Sequence, residues 1–436
     1  MILLLACTPT PTVLTLEAPS ELFVQAGEPA LLEARIEGAE TVLWSTGDGE
    51  ELQGEVVEHR YEGGHFNAFV VATGADGEQL SAAVRVTSTW PALDPPPRTA
   101  GSLVVFGDAL AAILPDSSEL FLIRGGEVES VPVCERPRSL SVEGVRLIVA
   151  CEEDLLVSFS PQGSEQQPLP WGTRPRAALS LELYTEAIED EGTLALVGEA
   201  LWVSRWRSPD GVGRIWREGE AIPLDPDLGP DSDVDARGVP SYLGTVAVRP
   251  DGRAIVFGGL KANTERGLYN EDRAFTFDTV TRAKLVHLDT QTTERLPEPL
   301  FDNRDRVGAL AYNPLGDVLA VAHFGTGVVD LLDAFSMVPL GGISRVGLGL
   351  DGLVWHEGLL YVLAGLDREL IAYELVDGRA TEVERIGLPA EPIHPGQRVF
   401  YDASDTRMSA SGYLSCGSCH LEGSTDRLTW DFTDRG

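Results

Sequence analysis

Cys416-Gly-Ser-Cys419-His420 is the cluster in this 436-residue chain whose residue types and spacing specify a chemistry most explicitly. Two thiols three residues apart reach the two vinyl groups of one haem, and the adjacent imidazole falls beneath the iron as proximal ligand. C-x-x-C-H therefore reads as attachment of haem c. At this composition the pattern arises by chance in about one such chain in a thousand. Cys416, Cys419 and His420 are the candidate cofactor-binding residues, with His420 the iron ligand. A zinc knuckle or a redox-active C-x-x-C is the competing reading, although no second cysteine pair completes a zinc site. His394 is a candidate second haem ligand. His287, His323 and His356 lack metal-ligand spacing, and no Ser-His-Asp order, P-loop or H-E-x-x-H accompanies them, so no catalytic acid or base is assigned.

The residues around the motif extend it. Gly396, Phe400, Asp402, Met408, Ser409, Cys416, Cys419, His420, Asp426 and Trp430 follow one another along 396–436. In that order they resemble the opening segment of the cytochrome c domains of di-haem cytochrome c peroxidases and MauG-type proteins. The resemblance implies covalent haem and electron transfer with a redox protein or a small donor or acceptor, and a peroxidase-like di-haem enzyme when the domain is complete. A cytochrome c fold needs on the order of 80 to 100 residues around its haem and draws its distal ligand from beyond the motif. Sixteen residues follow His420 here, so 394–436 is expected to be the N-terminal part of such a domain in a fragmentary chain. Met408 is read as loop packing rather than a sulfur ligand, and Asp426 and Trp430 as residues shaping the haem edge.

The other three cysteines differ in context. Residues 1–7, MILLLAC, run apolar into a TPTPT tether. They resemble the lipobox of a bacterial lipoprotein, which makes Cys7 a candidate lipid anchor and 1–12 a signal remnant and tether, despite a short apolar run with no basic residues before it. Cys134 and Cys151 flank neighbouring hairpin positions and either form a disulfide in an oxidising compartment or remain two buried thiols. Haem maturation outside the cytoplasm and the lipobox agree on an extracytoplasmic place, periplasmic or on the cell surface.

The elements that must position the motif are β-rich. Residues 13–90 alternate apolar and polar in short runs, as half-buried antiparallel strands do. Within them Trp44-Ser-Thr-Gly-Asp48-Gly49 precedes His59-Arg-Tyr61, and this resembles the PKD domain, an immunoglobulin-like sandwich. Trp44 is expected between two sheets and Gly47 and Gly49 in a tight turn, with His59 and His65 structural or at the surface. Residues 91–99, containing PALDPPPR, read as a stiff linker. Residues 100–393 repeat an Arg-Pro or Arg-Val lead-in, an apolar strand, a Gly turn, a second apolar strand and a polar outer strand. The spacing is roughly that of a four-stranded propeller blade. The repeat resembles bacterial surface-layer and YVTN-type propellers and implies six or seven blades. Within it 261–284 is polar and expected to form a loop over one face, where Asn263, Arg266 and Asp272 are weaker ligand candidates than solvated residues.

The predicted fold class is thus mainly β: an immunoglobulin-like sandwich, then a six- or seven-bladed β-propeller, then a short α-helical partial cytochrome c segment. The formal charge of −35, from 33 Lys and Arg against 68 Asp and Glu, argues against a nucleic-acid partner. It is either a solvated surface or a dock for a basic redox partner. No stretch of 18 apolar residues is present to span a membrane. Two functions stay open: an extracytoplasmic c-type cytochrome protein, or a surface binding and adhesion scaffold, its propeller ligand unknown, with a non-functional haem segment.

Overall fold

The computed structural model of the protein describes residues 13–184, 190–229, 237–265, 269–270, 273–274, 279–376 and 378–433. The chain divides into two compact units, Met1–Pro91 and Ala92–Gly436.

In the first unit a five-stranded sheet has the order Glu21–Gln25, Gln79–Thr89, Gly64–Gly74, Ala39–Ser45, Glu51–Gln53. Its first pair is parallel and the rest antiparallel. Two-stranded sheets, Pro29–Glu33 with Val56–Arg60 and Thr15–Glu17 with Arg35–Glu37, complete the sandwich. The period-2 pattern of the sequence is visible as alternating burial, with Leu32, Trp44, Tyr61, Val70 and Val86 inside. Trp44 is completely buried. The turn after it is tied to the later histidine: Asp48 accepts from Thr46 Oγ1 at 2.5 Å and pairs with His59 Nε2 at 2.7 Å. Tyr61 Oη donates to the Thr46 carbonyl at 3.0 Å. Gly47 has φ +90°, and a β-carbon there would lie 2.5 Å from the Asn67 carbonyl oxygen, so only glycine fits.

The second unit is a β-propeller of six sheets among the described residues. Blades 1 to 6 occupy 103–132, 137–168, 191–224, 239–289, 307–343 and 350–387. Blades 1, 2, 5 and 6 are four-stranded antiparallel meanders. Blade 3 gains a short fifth strand, Arg98–Thr99, on its first strand, and blade 4 has three strands. Packing on both sides explains the composition of the middle strands. Ala109–Ile113 and Ala254–Ala262 are buried at every position, while the outer strand Gly163–Pro168 is almost wholly exposed. A middle strand touches a neighbouring blade on each face, so it has no face left for water.

Apolar clusters join blades 1 and 2, 3 and 4, 4 and 5, and 5 and 6; the connection between blades 2 and 3 packs on both through Ala177, Ala178 and Leu179, and Leu103, Leu110 and Phe121 of blade 1 meet Leu363, Leu370 and Ile386 of blade 6 to close the ring. Each fully buried Leu, Ile or Phe in these seams contributes about 1.5 to 3 kcal/mol. All four strands of blade 1 and of blade 6 are consecutive in sequence, so no strand exchange locks the seam between them. A bidentate pair of Arg368 with Asp116, at 2.7 and 2.8 Å, spans it instead.

One sequence expectation about this unit changes, and of the two alternatives for Cys134 and Cys151 the structure has the disulfide. The stretch 261–284, expected as a loop, begins and ends as paired strand: Lys261 and Ala262 lie opposite Arg282 and Thr281. Lys261 is buried and ion-paired with Asp227 at 2.9 Å. The charged side chains that suggested a loop here are paired with acids outside the stretch, Arg282 with Asp302 and Lys284 with Glu298. Cys134 and Cys151 are joined by a disulfide, which ties the link between blades 1 and 2 to the second strand of blade 2.

Candidate functional site

After the last blade the chain forms helix α1, Pro395–Tyr401, an irregular stretch, and a single helical turn, α2, Cys416–Cys419, followed by a 3-10 turn at Leu421–Gly423. α1 starts where the sequence supplies a cap and a proline: His394 Nδ1 accepts from the Gly396 N–H at 3.0 Å, and Pro395 needs no donor at the first position. His394, the candidate second haem ligand, is thereby the N-cap of α1.

α2 is closed by the His420 N–H donating to the Cys416 carbonyl at 3.0 Å, and Ser418 Oγ accepts from the Ser415 N–H at 3.0 Å. Residues three apart share one face of a helical turn, so Cys416 and Cys419 lie on one side of α2 and His420 follows as its C-cap. The opposite face is packed inward. Gly417 and Ser418 are buried, and a β-carbon on Gly417 would stand 2.6 Å from the Tyr401 ring. Cys416 and His420 are exposed and Cys419 is half-buried.

The donor set fits a haem better than its rivals. Among the described residues, ligand atoms of three His, Cys, Asp or Glu residues converge within 4.8 Å only at Cys134, Cys151 and Glu153, and that cysteine pair is a disulfide. Cys416, Cys419 and His420 are therefore not drawn together as a tetrahedral ion would require, whereas two thioether bonds and an axial imidazole span a wide macrocycle. Burial pushes the Cys419 thiol up to about 11, with Asp426 and Cys416 adding to it. That is the reverse of the lowered thiol a redox-active C-x-x-C uses.

The whole segment docks on one face of the propeller and touches every blade. Gln397 donates to Asp116 in blade 1 at 3.4 Å, and Arg398 pairs with Asp367 of blade 6 at 2.6 Å. The Ala403 N–H donates to the Gly325 carbonyl of blade 5 at 3.1 Å. Tyr242 Oη of blade 4 donates to the Cys419 carbonyl at 3.2 Å. Arg427 reaches Asp190 at the start of blade 3. At the centre Glu422, with φ +56°, accepts from Arg138 of blade 2 at 3.0 Å and from both terminal nitrogens of Arg176 at 2.6 and 2.8 Å. Desolvation alone would raise its pKa, but Arg176, Arg138 and Arg306 outweigh it and hold the carboxyl at about 2.

Beneath Tyr401, Leu421 and Glu422 lies a central cavity of about 200 Å³, lined by the first strands of the blades. Arg306 stacks on Phe324 at 3.9 Å from the ring centroid. Asp351 also faces the cavity, and burial pushes its carboxyl up to about 7 against the pull of Arg306. None of these residues was singled out in the sequence. The signal available was the recurring arginine at the blade lead-ins, Arg138, Arg176 and Arg306.

The remaining candidates fall as follows. Asp426 is buried and accepts from Trp430 Nε1 at 2.8 Å, and Trp430 stacks on Phe432. Met408, expected to pack within its loop, is 46% exposed, because the stretch around it turns outward between the two docked helices. His59 is the ion-paired residue described above, and His65 meets Thr87 Oγ1 at 3.1 Å. Asn263 is buried and donates to the Thr279 carbonyl at 3.4 Å. Arg266, Asp272 and the candidate lipid anchor Cys7 lie outside the described residues. No described helix is long and apolar enough to cross a membrane.

No family model matches the chain, and no curated protein matches it in sequence. Similar solved structures include hydrazine synthase of Kuenenia stuttgartiensis, at 13% identity over 73% of this chain and 92% of that one, with a TM-score of 0.38. An auxiliary nutrient binding protein from Bacteroides thetaiotaomicron is 11% identical over 82% and 96%, at 0.36. The β-propeller domain of Myceliophteria thermophila Cps50 is 13% identical over 67% and 88%, also at 0.36. With these TM-scores below 0.5, the propeller assignment stands on the strand pairing of the chain itself.

Proposed function

We propose that the protein is an extracytoplasmic c-type cytochrome protein in which Cys416 and Cys419 hold haem c covalently and His420 is the proximal iron ligand. The observation that carries this reading is the α2 turn, which carries Cys416 and Cys419 with His420 at its C-cap while Gly417 packs on Tyr401 of α1. The haem would supply one-electron chemistry. The chain's own part is to fix the turn: Gly417 admits Tyr401, Tyr242 holds the Cys419 carbonyl, and Glu422 anchors the following residues to the propeller. Electrons would pass to or from a redox protein or a small donor or acceptor, and the net charge of −35 suits a basic protein partner. The Cys134–Cys151 disulfide favours an oxidising compartment, in keeping with a lipid anchor at Cys7. The PKD-like sandwich would act as a spacer. Peroxidase-like chemistry belongs to the same reading as a property of a complete di-haem domain.

The test is expression in a periplasm with cytochrome c maturation, followed by a haem stain and a reduced-minus-oxidised spectrum. A covalent haem band that disappears in the Cys416→Ala, Cys419→Ala variant is the expected result. Absence of the band in the unaltered protein would sink the cytochrome reading. It would leave the binding scaffold, which the central cavity favours.

A further inference from the structure

The central cavity holds polar groups that the fold itself does not satisfy. Thr193 and Ser139, on the first strands of blades 3 and 2, are 2% and 5% exposed, yet Thr193 Oγ1 and Ser139 Oγ have no hydrogen-bond partner. Asp351 Oδ1, on the first strand of blade 6, has none either. All three residues line the same cavity. Buried hydroxyls and carboxylates are nearly always bonded, and each one left alone costs about 1 to 3 kcal/mol. Three such groups, on residues from three blades that line one cavity, argue for an occupant that bonds them.

The charges identify its chemistry. Arg138 and Arg176 are both taken by Glu422, and Arg368 is taken by Asp116. Arg306 is different. Its guanidinium stacks on Phe324, and among the described residues no carboxylate or carbonyl accepts from it. One guanidinium that stays charged beside the Asp305, Asp351 and Glu422 carboxylates but has no hydrogen-bonded acceptor, and one carboxylate oxygen without a donor, Asp351 Oδ1, therefore remain. A metal ion is disfavoured by Arg306, and a dianion such as phosphate by Asp351. A neutral sugar would leave the guanidinium unanswered. A molecule with a carboxylate at one end and a hydrogen-bond donor at the other answers both, since a planar fork of donors matches a carboxylate in two parallel bonds.

We propose that the central cavity binds a small carboxylate bearing a neighbouring hydrogen-bond donor, an α-amino or α-hydroxy acid, with its carboxylate on Arg306, its donor on Asp351, and Ser139 and Thr193 completing the site. The cavity of about 200 Å³ suits a compact molecule of this kind. The proposal does not depend on haem attachment.

Titration calorimetry of the full chain with four compounds of similar size tests it. L-serine carries carboxylate and ammonium, glycerate carries carboxylate and hydroxyl, serinol lacks the carboxylate, and propionate lacks the donor. Serine or glycerate should bind at least tenfold tighter than serinol and propionate, and which of the two binds better identifies the donor. Arg306→Met should weaken that binding at least tenfold. Ser139→Ala deletes an unbonded hydroxyl, so it should leave the thermal midpoint no lower while weakening binding about fivefold. Binding of neither acid, binding no tighter than that of the two controls, or affinity unchanged in both variants would overturn the proposal.

Discussion

Asp330 shows how a single side chain is governed by what surrounds it. It lies on the third strand of blade 5 and accepts from His323 Nε2 at 3.0 Å and from Arg304 at 2.9 and 3.1 Å. Burial would raise its pKa, but the bonds and charge from His323 and Arg304 prevail and hold it at about 2, below the ordinary 3.8. A carboxyl depressed on folding adds stability that is fully present above about pH 4 and is lost as pH falls through about 2. Asp330→Asn should therefore destabilise by on the order of 2 kcal/mol at neutral pH. The gap between variant and parent should narrow below about pH 3 in denaturant titrations; a gap of constant size would contradict the ion-pair account. The docked segment has its own such residue in Glu422. Glu422→Gln exchanges a carboxylate held by two arginines for a neutral amide. It should cost about 1 to 3 kcal/mol of local stability, read as faster proteolysis within 394–433 while the blades stay protected.

At the level of elements, the propeller depends on first strands that approach one another closely at its axis. Gly308 on blade 5 faces the Leu350 carbonyl of blade 6, and a β-carbon there would run into that oxygen. The obstacle is backbone on both sides, so neither strand can yield without shifting its blade. Gly308→Ala should destabilise by about 1 to 3 kcal/mol or more, measurable in the thermal midpoint. Gly387, on the outer strand of blade 6, meets nothing within 4 Å, and its change to Ala should leave the midpoint within about 0.5 kcal/mol of the parent. The strands themselves were legible in the sequence. RPRSLSVEGVRLIVACEEDLLVSF and VGALAYNPLGDVLAVAHFGTGVVDLLD each cover the first three strands of a blade, because apolar runs split by Gly turns follow directly from two-sided burial. Blade 4 was harder to read, since Lys261 and Lys284 stand in strands and are balanced by Asp227 and Glu298 from outside the stretch.

For the molecule as a whole, the ring of blades is closed by side chains rather than by an exchanged strand, and the haem-motif segment lies across all six blades on one face. Reduction of the Cys134–Cys151 disulfide, which encloses a loop of 17 residues, should cost about 3 kcal/mol and lower the thermal midpoint. An unchanged midpoint after full reduction would show that the link between blades 1 and 2 is held by packing alone.

What the sequence by itself determined was local: the C-x-x-C-H donors in one short stretch, the Trp44-Ser-Thr-Gly-Asp48-Gly49 turn, and strands whose apolar pattern repeats at blade spacing. These depend on residues a few positions apart, or on one face of one strand, so spacing alone reveals them. Only the tertiary structure decided where the recurring lead-in arginines point. Arg138 and Arg306 stand at the starts of blades 2 and 5, and Arg176 in the connection that leads to blade 3, up to 168 positions apart. They become one cluster only because the sheets close into a ring whose first strands share an axis, and there Glu422 takes two of them and leaves the third. Whether a charge is paired depends on distance in space, and chain spacing does not determine that distance once the contacts are long-range.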